Sequence, residues 1–210
     1  MKPGSGALVA LDCDGVLFDS FEANVAFYNA MLAELGEPLL DDEGREHAHR
    51  MSSAQIIDWL FAERPERIPE ARRIARELDY APFLPLMRPV RALDRTLAWL
   101  RENYRTAMAT NRGTTIPTLV EHFSLGPWFE TIVGIYDVPQ PKPAPDMLLL
   151  CLSRLGVAAA SSVYVGDSPG DRRAAAEAGM HFVAVGDGSG GPATIGELAE
   201  LPEYLKARFS

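Results

Sequence analysis

Residues Ala7–Ser20 read ALVALDCDGVLFDS: five apolar residues run straight into Asp12, and a second carboxylate follows at Asp14, just before Gly15. An apolar run this short, closed by turn residues, has the length of a buried strand. If the strand ends near Asp12, alternation of faces points Asp12 and Asp14 to one side and Cys13 to the other. The rest of the chain decides whether the pair merely ends a strand or does chemistry.

The same pattern, a short apolar run followed by a turn and then helical periodicity, recurs at Tyr104–Ala109, Thr131–Ile135, Ser162–Val165 and His181–Val185. Helices are predicted between the runs. Arg88–Asn103 places Val90, Leu93, Leu97 and Leu100 on one face, Pro145–Leu155 ends at Gly156, and Asp171–Ala178 ends at Gly179. Strands alternating with helices predict an α/β fold with a doubly wound, parallel, five-stranded Rossmann-like sheet, in which ligands bind beyond the carboxyl ends of the strands. The alternation breaks once. From Ser20 to about Leu86 the pattern is helical throughout, at Phe21–Leu35, Ser53–Phe61 and Pro69–Leu78. The return stretch APFLPLMRP, with Pro82, Pro85 and Pro89, reads as a stiff extended connector. The expected organisation is a discontinuous catalytic core, residues 1–19 and 87–210, and an all-helical cap, residues 20–86, inserted where a lid over the site would sit.

The 210 residues carry 47% hydrophobic and 23% charged side chains and a net charge of -9. No apolar run approaches the ~20 residues that span a bilayer, and MKPGSG lacks the apolar segment of a secretory signal. The reading is a cytoplasmic protein with no membrane partner, a monomer or homodimer. The acidic field, with no basic run to offset it, argues against nucleic acid. It leaves room for a small phosphorylated metabolite delivered with a divalent cation. Cys13 and Cys151 show neither metal spacing nor a disulfide framework.

A second acid pair lies in VYVGDSPGD: Asp167 follows the fourth strand and Asp171 opens the next helix. Two carboxylate pairs converging at strand ends repel unless a cation joins them, and hard oxygen ligands with positions left for water describe a Mg²⁺ site. The second strand ends in ATNRG, setting Thr110 and Asn111 before a helix expected from about Thr114. A hydroxyl plus free N–H groups at a helix start bind anions. Lys142, between two prolines in QPKPAPD, supplies a fixed ammonium beside the carboxylates. Metal, anion donors and a fixed cation together amount to a phosphoryl-transfer site.

With these four elements in order, each at a strand end, the sequence resembles the haloacid dehalogenase superfamily of phosphohydrolases. DCDGVLFDS, ATN, KPAPD and GDSPGD match its four motifs, over Ala7–Asp19 and from about Arg88 to Val185. The helical insertion resembles the cap of the phosphoglycolate phosphatase and β-phosphoglucomutase-like branch. The resemblance implies that Asp12 is the nucleophile forming an aspartyl-phosphate, and that Asp14 protonates the leaving alcohol and then activates water. It further implies that Thr110, the Asn111 amide and Lys142 bind phosphate. Mg²⁺ would be held by Asp12, the Asp14 carbonyl and Asp167, with Asp171 in its first or second coordination shell. Dehalogenases lack the second acid, so the chain looks like a phosphatase of small phosphate monoesters. A phosphomutase of the β-phosphoglucomutase kind and a non-catalytic phosphometabolite-binding protein remain as alternatives.

Other residues have plainer readings. Asp19 and Glu22 form a D-x-x-E helix start, and Cys13 is a packed neighbour rather than a reactive thiol. His47 and His49 lie on an exposed polar face, and Phe27, Tyr28, Trp59 and Phe61 form the lid core. Arg45 and Arg50, placed before or at the start of a lid helix, are either solvated charges or contacts to an anionic substrate group. The GDGSGG stretch, Gly186–Gly191, lacks the lysine of a phosphate loop and reads as a surface loop.

Overall fold

A computed structural model describes residues 6–186, 190 and 193–209, without the side chains of His49, Arg50 and Phe209. In chain order its elements are strand β1 (Leu8–Leu11), β2 (Phe18–Asp19), helices α1 (Phe21–Glu34), α2 (Asp42–Arg50), α3 (Ser53–Leu60) and α4 (Ile68–Glu77), and strand β3 (Arg88–Pro89). There follow α5 (Leu93–Asn103), β4 (Arg105–Ala109), α6 (Ile116–His122), β5 (Thr131–Val133), α7 (Asp146–Leu155), β6 (Val163–Gly166), α8 (Pro169–Ala178), β7 (His181–Val185), β8 (Thr194–Ile195) and α9 (Leu201–Phe209). They divide into two compact units, one of residues Met1–Asp19, Pro89–Ile116 and Val120–Ser210, the other of Ser20–Arg88 with Pro117–Leu119.

The first unit is built on a six-stranded sheet in the order β5-β4-β1-β6-β7-β8, every pairing parallel. The predicted parallel α/β sheet is therefore present, extended by one strand: β8 is two residues long, too short to leave a pattern. All four residues of β1 are buried, as expected for a central strand covered on both faces. Leu8, Ala10, Ala107, Ala109, Tyr164 and Phe182 share one core with Met147, Leu148 and Cys151 of α7 and Ala174, Ala175 and Ala178 of α8. The alternate residues Val9, Leu11, Met108 and Val183 are buried as well, and α5 packs on β4. Residues 9–11 of β1 pair with 106–108 of β4 and 163–165 of β6. The register therefore brings Asp12, the end of β4 and the end of β6 to one edge.

Four local expectations are corrected. The helix expected from Arg88 begins at Leu93: residues 88–89 are a strand, Val90 donates to Leu17 O, and Ala92 turns the chain at φ 57°. The connector is extended only at its end; Ala81–Leu86 forms a 3-10 helix, whose φ suits proline. The N-cap of α1 falls on Ser20, one residue past Asp19. Arg45 and Arg50 do not precede a helix but lie on α2 itself, which Asp41 caps by accepting from Gly44 N.

Within the helical unit Phe27, Tyr28, Ile56, Ile57 and Phe61 are buried, and Trp59 is half-buried with its ring 4.5 Å from that of His47. His47 thus backs an aromatic ring and sits 3.5 Å from Glu43 rather than standing on an open polar face. Among the described residues no helix is long and apolar enough to cross a membrane. Of GDGSGG, residues 187–189 and 191 lie outside the described part.

Candidate active site

Asp12 follows β1 directly, and its N–H donates to Val165 O, so the strand's hydrogen bonding carries on to the aspartate. The residue is 8% exposed. Oδ1 accepts from Cys13 N at 2.7 Å and lies 2.8 Å from Lys142 Nζ. Lys142, on the loop after β5, reaches into the same place with 6% exposure. Asn111 holds that loop by a double clasp, donating from Nδ2 to Lys142 O and accepting at Oδ1 from Lys142 N, both at 3.1 Å. The ammonium has four partners: Asp12 Oδ1, Asp171 Oδ1 at 2.7 Å, the Tyr164 hydroxyl at 2.7 Å and Ala109 O at 3.1 Å.

Asp171 is the most enclosed carboxylate of the group. Sequence reading expected it to open its helix, but α8 starts at Pro169 and Asp171 is its third residue, in a capping box with Ser168. Oδ2 accepts from Ser168 N and Oγ, while Oδ1 accepts from Lys142 and Tyr164. A carboxylate offers about four lone-pair sites, so Asp171 is saturated by the protein. Asp167, at the end of β6, stands close to Gly15: with φ at +74°, this residue has no room for a Cβ, which would overlap the Asp167 carboxylate.

The pKa directions follow from this crowding. Burial pushes the Asp12 carboxyl up, against the pull of Lys142, and Asp171, Asp167 and Asp14 push it further. Burial also acts upward on Asp171, but Lys142 and the hydrogen bonds from Lys142, Ser168 and Tyr164 overcome it and hold this carboxyl below its usual value. Burial depresses the Lys142 ammonium, and Asp12 and Asp171 more than reverse that, so it stays charged. Asp167 is pushed up to about 7, by burial first and then by Asp171. Cys13 is fully buried and its thiol is raised by burial, which suits a packed neighbour.

Carboxylate oxygens of Asp12, Asp167 and Asp171 lie within 4.8 Å of one another. Three hard oxygens, with the Asp12 and Asp167 carboxyls raised by burial and by neighbouring acids, fit a hard divalent cation. With its oxygens spent on Lys142, Tyr164 and Ser168, Asp171 holds the lysine and the helix start in place.

The carboxylate of Asp14 is outside this cluster. It is gripped by Arg112, whose Nε donates to Oδ2 at 2.8 Å and Nη2 to Oδ1 at 2.6 Å. Thr110 is 1% exposed; its N–H is spent on Val133 O and its hydroxyl accepts from Arg112 N at 3.2 Å. The helix expected near Thr114 starts at Ile116, so the Thr110–Asn111 turn is not itself a helix start. Of the sequence-derived residues, Asp12, Asp14, Thr110, Asn111, Lys142, Asp167 and Asp171 thus meet at one sheet edge. Arg45 belongs to the helical unit, where it pairs with Glu22 at 3.1 Å and lies over the Phe21 ring. The Arg50 side chain lies outside the described part. Sequence reading missed Arg112, Tyr164 and Ser168. Only Ser168 had a signal, the S-x-x-D of a capping box.

Comparison with known proteins places this arrangement among hydrolases, and within them among phosphatases. The chain belongs to the haloacid dehalogenase-like hydrolases, which match residues 9–185. It is 30% identical over 197 residues to a phosphoglycolate phosphatase of Pseudomonas savastanoi pv. phaseolicola, covering 86% of this chain and 70% of the relative. With a phosphoglycolate phosphatase of Chromobacterium violaceum it shares 32% over 214 residues, covering 94% and 96% of the two chains. The crystal structure of a subfamily IA hydrolase of this superfamily from Geobacter sulfurreducens superposes with a TM-score of 0.79 at 31% identity, covering 98% of this chain and all of that one.

Proposed function

We propose that the chain is a magnesium-dependent phosphatase that hydrolyses a small phosphate monoester, phosphoglycolate-like or sugar-phosphate-like, through an aspartyl-phosphate on Asp12. The observation that carries this reading is the buried pairing of Asp12 with Lys142 beside Asp167. Cys13 N–H and Lys142 both bind Oδ1, and together they fix the carboxylate for attack. A carboxylate approaching a phosphoryl dianion meets like charge, and Lys142 offsets it at the point of attack. A bound Mg²⁺ adds charge neutralisation and orients the phosphoryl oxygens.

Asp12 attacks phosphorus, the bond to the leaving oxygen breaks, and that oxygen takes a proton from Asp14. Water then attacks the aspartyl-phosphate, giving its proton back to Asp14 and releasing phosphate. The Thr110–Asn111 turn binds phosphoryl oxygens and, through the Asn111 clasp, fixes the lysine loop. The helical unit begins at Ser20, six residues after Asp14 in the chain.

The test is phosphate release from a panel of phosphate monoesters with Mg²⁺. Wild-type protein turns over at least one of them, and Asp12→Asn loses about 10³-fold or more in kcat, as expected for removal of a nucleophile. Turnover that survives Asp12→Asn overturns the assignment. Interconversion of hexose phosphates without phosphate release overturns the hydrolytic reading.

A further inference from the structure

Asp14 is an acid two residues from the Asp12–Asp167–Asp171 cluster, yet its carboxylate is not part of it. Its partner is Arg112, 98 positions away in sequence, through a two-pronged contact of 2.8 and 2.6 Å. Arg112 is 8% exposed, so its guanidinium is not a surface charge that happens to lie nearby. Its backbone is pinned on both sides, the N–H donating to Thr110 Oγ1 and the carbonyl accepting from Ile135 N at 3.0 Å. Gly134 permits the approach, since a Cβ there would lie 2.8 Å from Arg112 O. A planar guanidinium held by its own loop fixes both oxygens of a carboxylate in one plane, which an ammonium cannot do.

We propose that Arg112 is a positioning residue for the acid/base carboxylate: its fork keeps Asp14 out of the metal-binding cluster and aims it at the leaving oxygen and at the attacking water. The proposal rests on the reaction assigned above. Each carboxylate of the D-x-D pair then has its own cation, Lys142 for Asp12 and Arg112 for Asp14. The division of labour between two aspartates two residues apart is set by side chains from two other loops.

The two half-reactions separate a positioning role from a structural one. An alkyl leaving group needs a proton from Asp14 in the first step, and every substrate needs Asp14 in the second. p-Nitrophenol departs from its phosphate ester without a proton. With p-nitrophenyl phosphate, Arg112→Met is expected to release about one nitrophenol per enzyme at near the wild-type rate. The steady state that follows is about 10- to 100-fold slower, within the range of acid–base contributions. With an alkyl phosphate the first turnover falls by the same factor and no burst appears. Arg112→Lys keeps the charge without the fork and is expected to fall between wild type and Arg112→Met. It carries the same comparison should the methionine variant not fold.

A first aryl turnover slowed as much as the steady state overturns the proposal, as does a raised KM with unchanged kcat, or wild-type behaviour in Arg112→Lys. Asp12→Asn run in parallel shows neither burst nor turnover. If it turns over, the reaction assignment has failed; if it is dead and the burst is absent from the Arg112 variants, only the role of Arg112 has.

Discussion

At the scale of single residues, the four acids of the site are alike in type and differ in what surrounds them. Asp171 spends its oxygens on Lys142, Tyr164, and the N–H and hydroxyl of Ser168, whereas Asp167 is pushed up to about 7 by burial and by Asp171. Substituting each by asparagine should therefore give different defects. On the proposed metal site, Asp167→Asn removes a carboxylate oxygen ligand and a negative charge, and the Mg²⁺ concentration for half-maximal activity should rise by at least about 10-fold. Asp171→Asn removes the partner that balances Lys142 and the helix cap together. It should cost about 3 kcal/mol in denaturant unfolding, as for a broken buried ion pair, with the smaller change in Mg²⁺ requirement. Paired metal titrations and unfolding curves check the contrast; a Mg²⁺ requirement shifted more by Asp171→Asn would make that residue the direct ligand. Tyr164 offers a finer probe. Its buried hydroxyl joins Lys142, Asp171 and Ala109 O, and Tyr164→Phe should lower stability by about 1 kcal/mol and reduce kcat with KM unchanged.

At the scale of elements, what matters is how closely loops from different strand ends approach. Gly15, at φ +74°, turns the chain after Asp14 against the Asp167 carboxylate, so Gly15→Ala imposes both a strained backbone and an overlap. The expected outcome is a raised Mg²⁺ requirement on top of a stability loss of about 1–2 kcal/mol, read from metal activation curves and thermal melts; activation at wild-type Mg²⁺ would show that the Asp167 carboxylate does not depend on this approach. Such approaches also mark the limit of what the sequence displayed. Asp12, Asp14 and Asp167 were legible because they follow the ends of buried strands, and Lys142 and Asp171 because of the flanking prolines and the helix start, all local patterns. Arg112 and Tyr164 were not, because their roles depend on which strands are neighbours and how far a side chain reaches across loops. The same distinction holds for the elements. The five main strands show as apolar runs, whereas β8 is two residues long and DEGREHAHR of α2 has a glycine in its first turn and almost no apolar residue. Pro89 and the turn at Ala92 ended the reading of Arg88–Asn103 as one helix, because Val90 fits the apolar stripe without belonging to it.

At the scale of the whole molecule, a chain of net charge -9 concentrates four carboxylates at one sheet edge against two cations, Lys142 and Arg112. The net excess of these groups is two negative charges, which one divalent cation offsets. Burial first and then Asp171 raise the Asp167 carboxyl to about 7 from the model-peptide value of 3.8. The linkage has a definite sign. A carboxyl that binds its proton more tightly folded than unfolded gives the folded state more protons between about pH 4 and 7. Stability then falls as pH rises through that window, and the loss is complete above 7. Carboxyls lowered on folding, Asp171, Glu37 and Glu130 among them, act in the opposite sense but titrate below the window. In EDTA the melting temperature should therefore be lower at pH 8 than at pH 5.5. The expected drop is about 2–4 °C, corresponding to about 1 kcal/mol in a chain of this size once solvent screening is allowed for. Mg²⁺ should recover the difference at pH 8 and add less at pH 5.5, where it must displace the proton from Asp167. Asp167→Asn has no such proton to lose and should flatten both the pH slope and the Mg²⁺ response. A slope that persists unchanged in Asp167→Asn would place the uncompensated charge elsewhere, at Asp12, whose carboxyl is raised by the same burial.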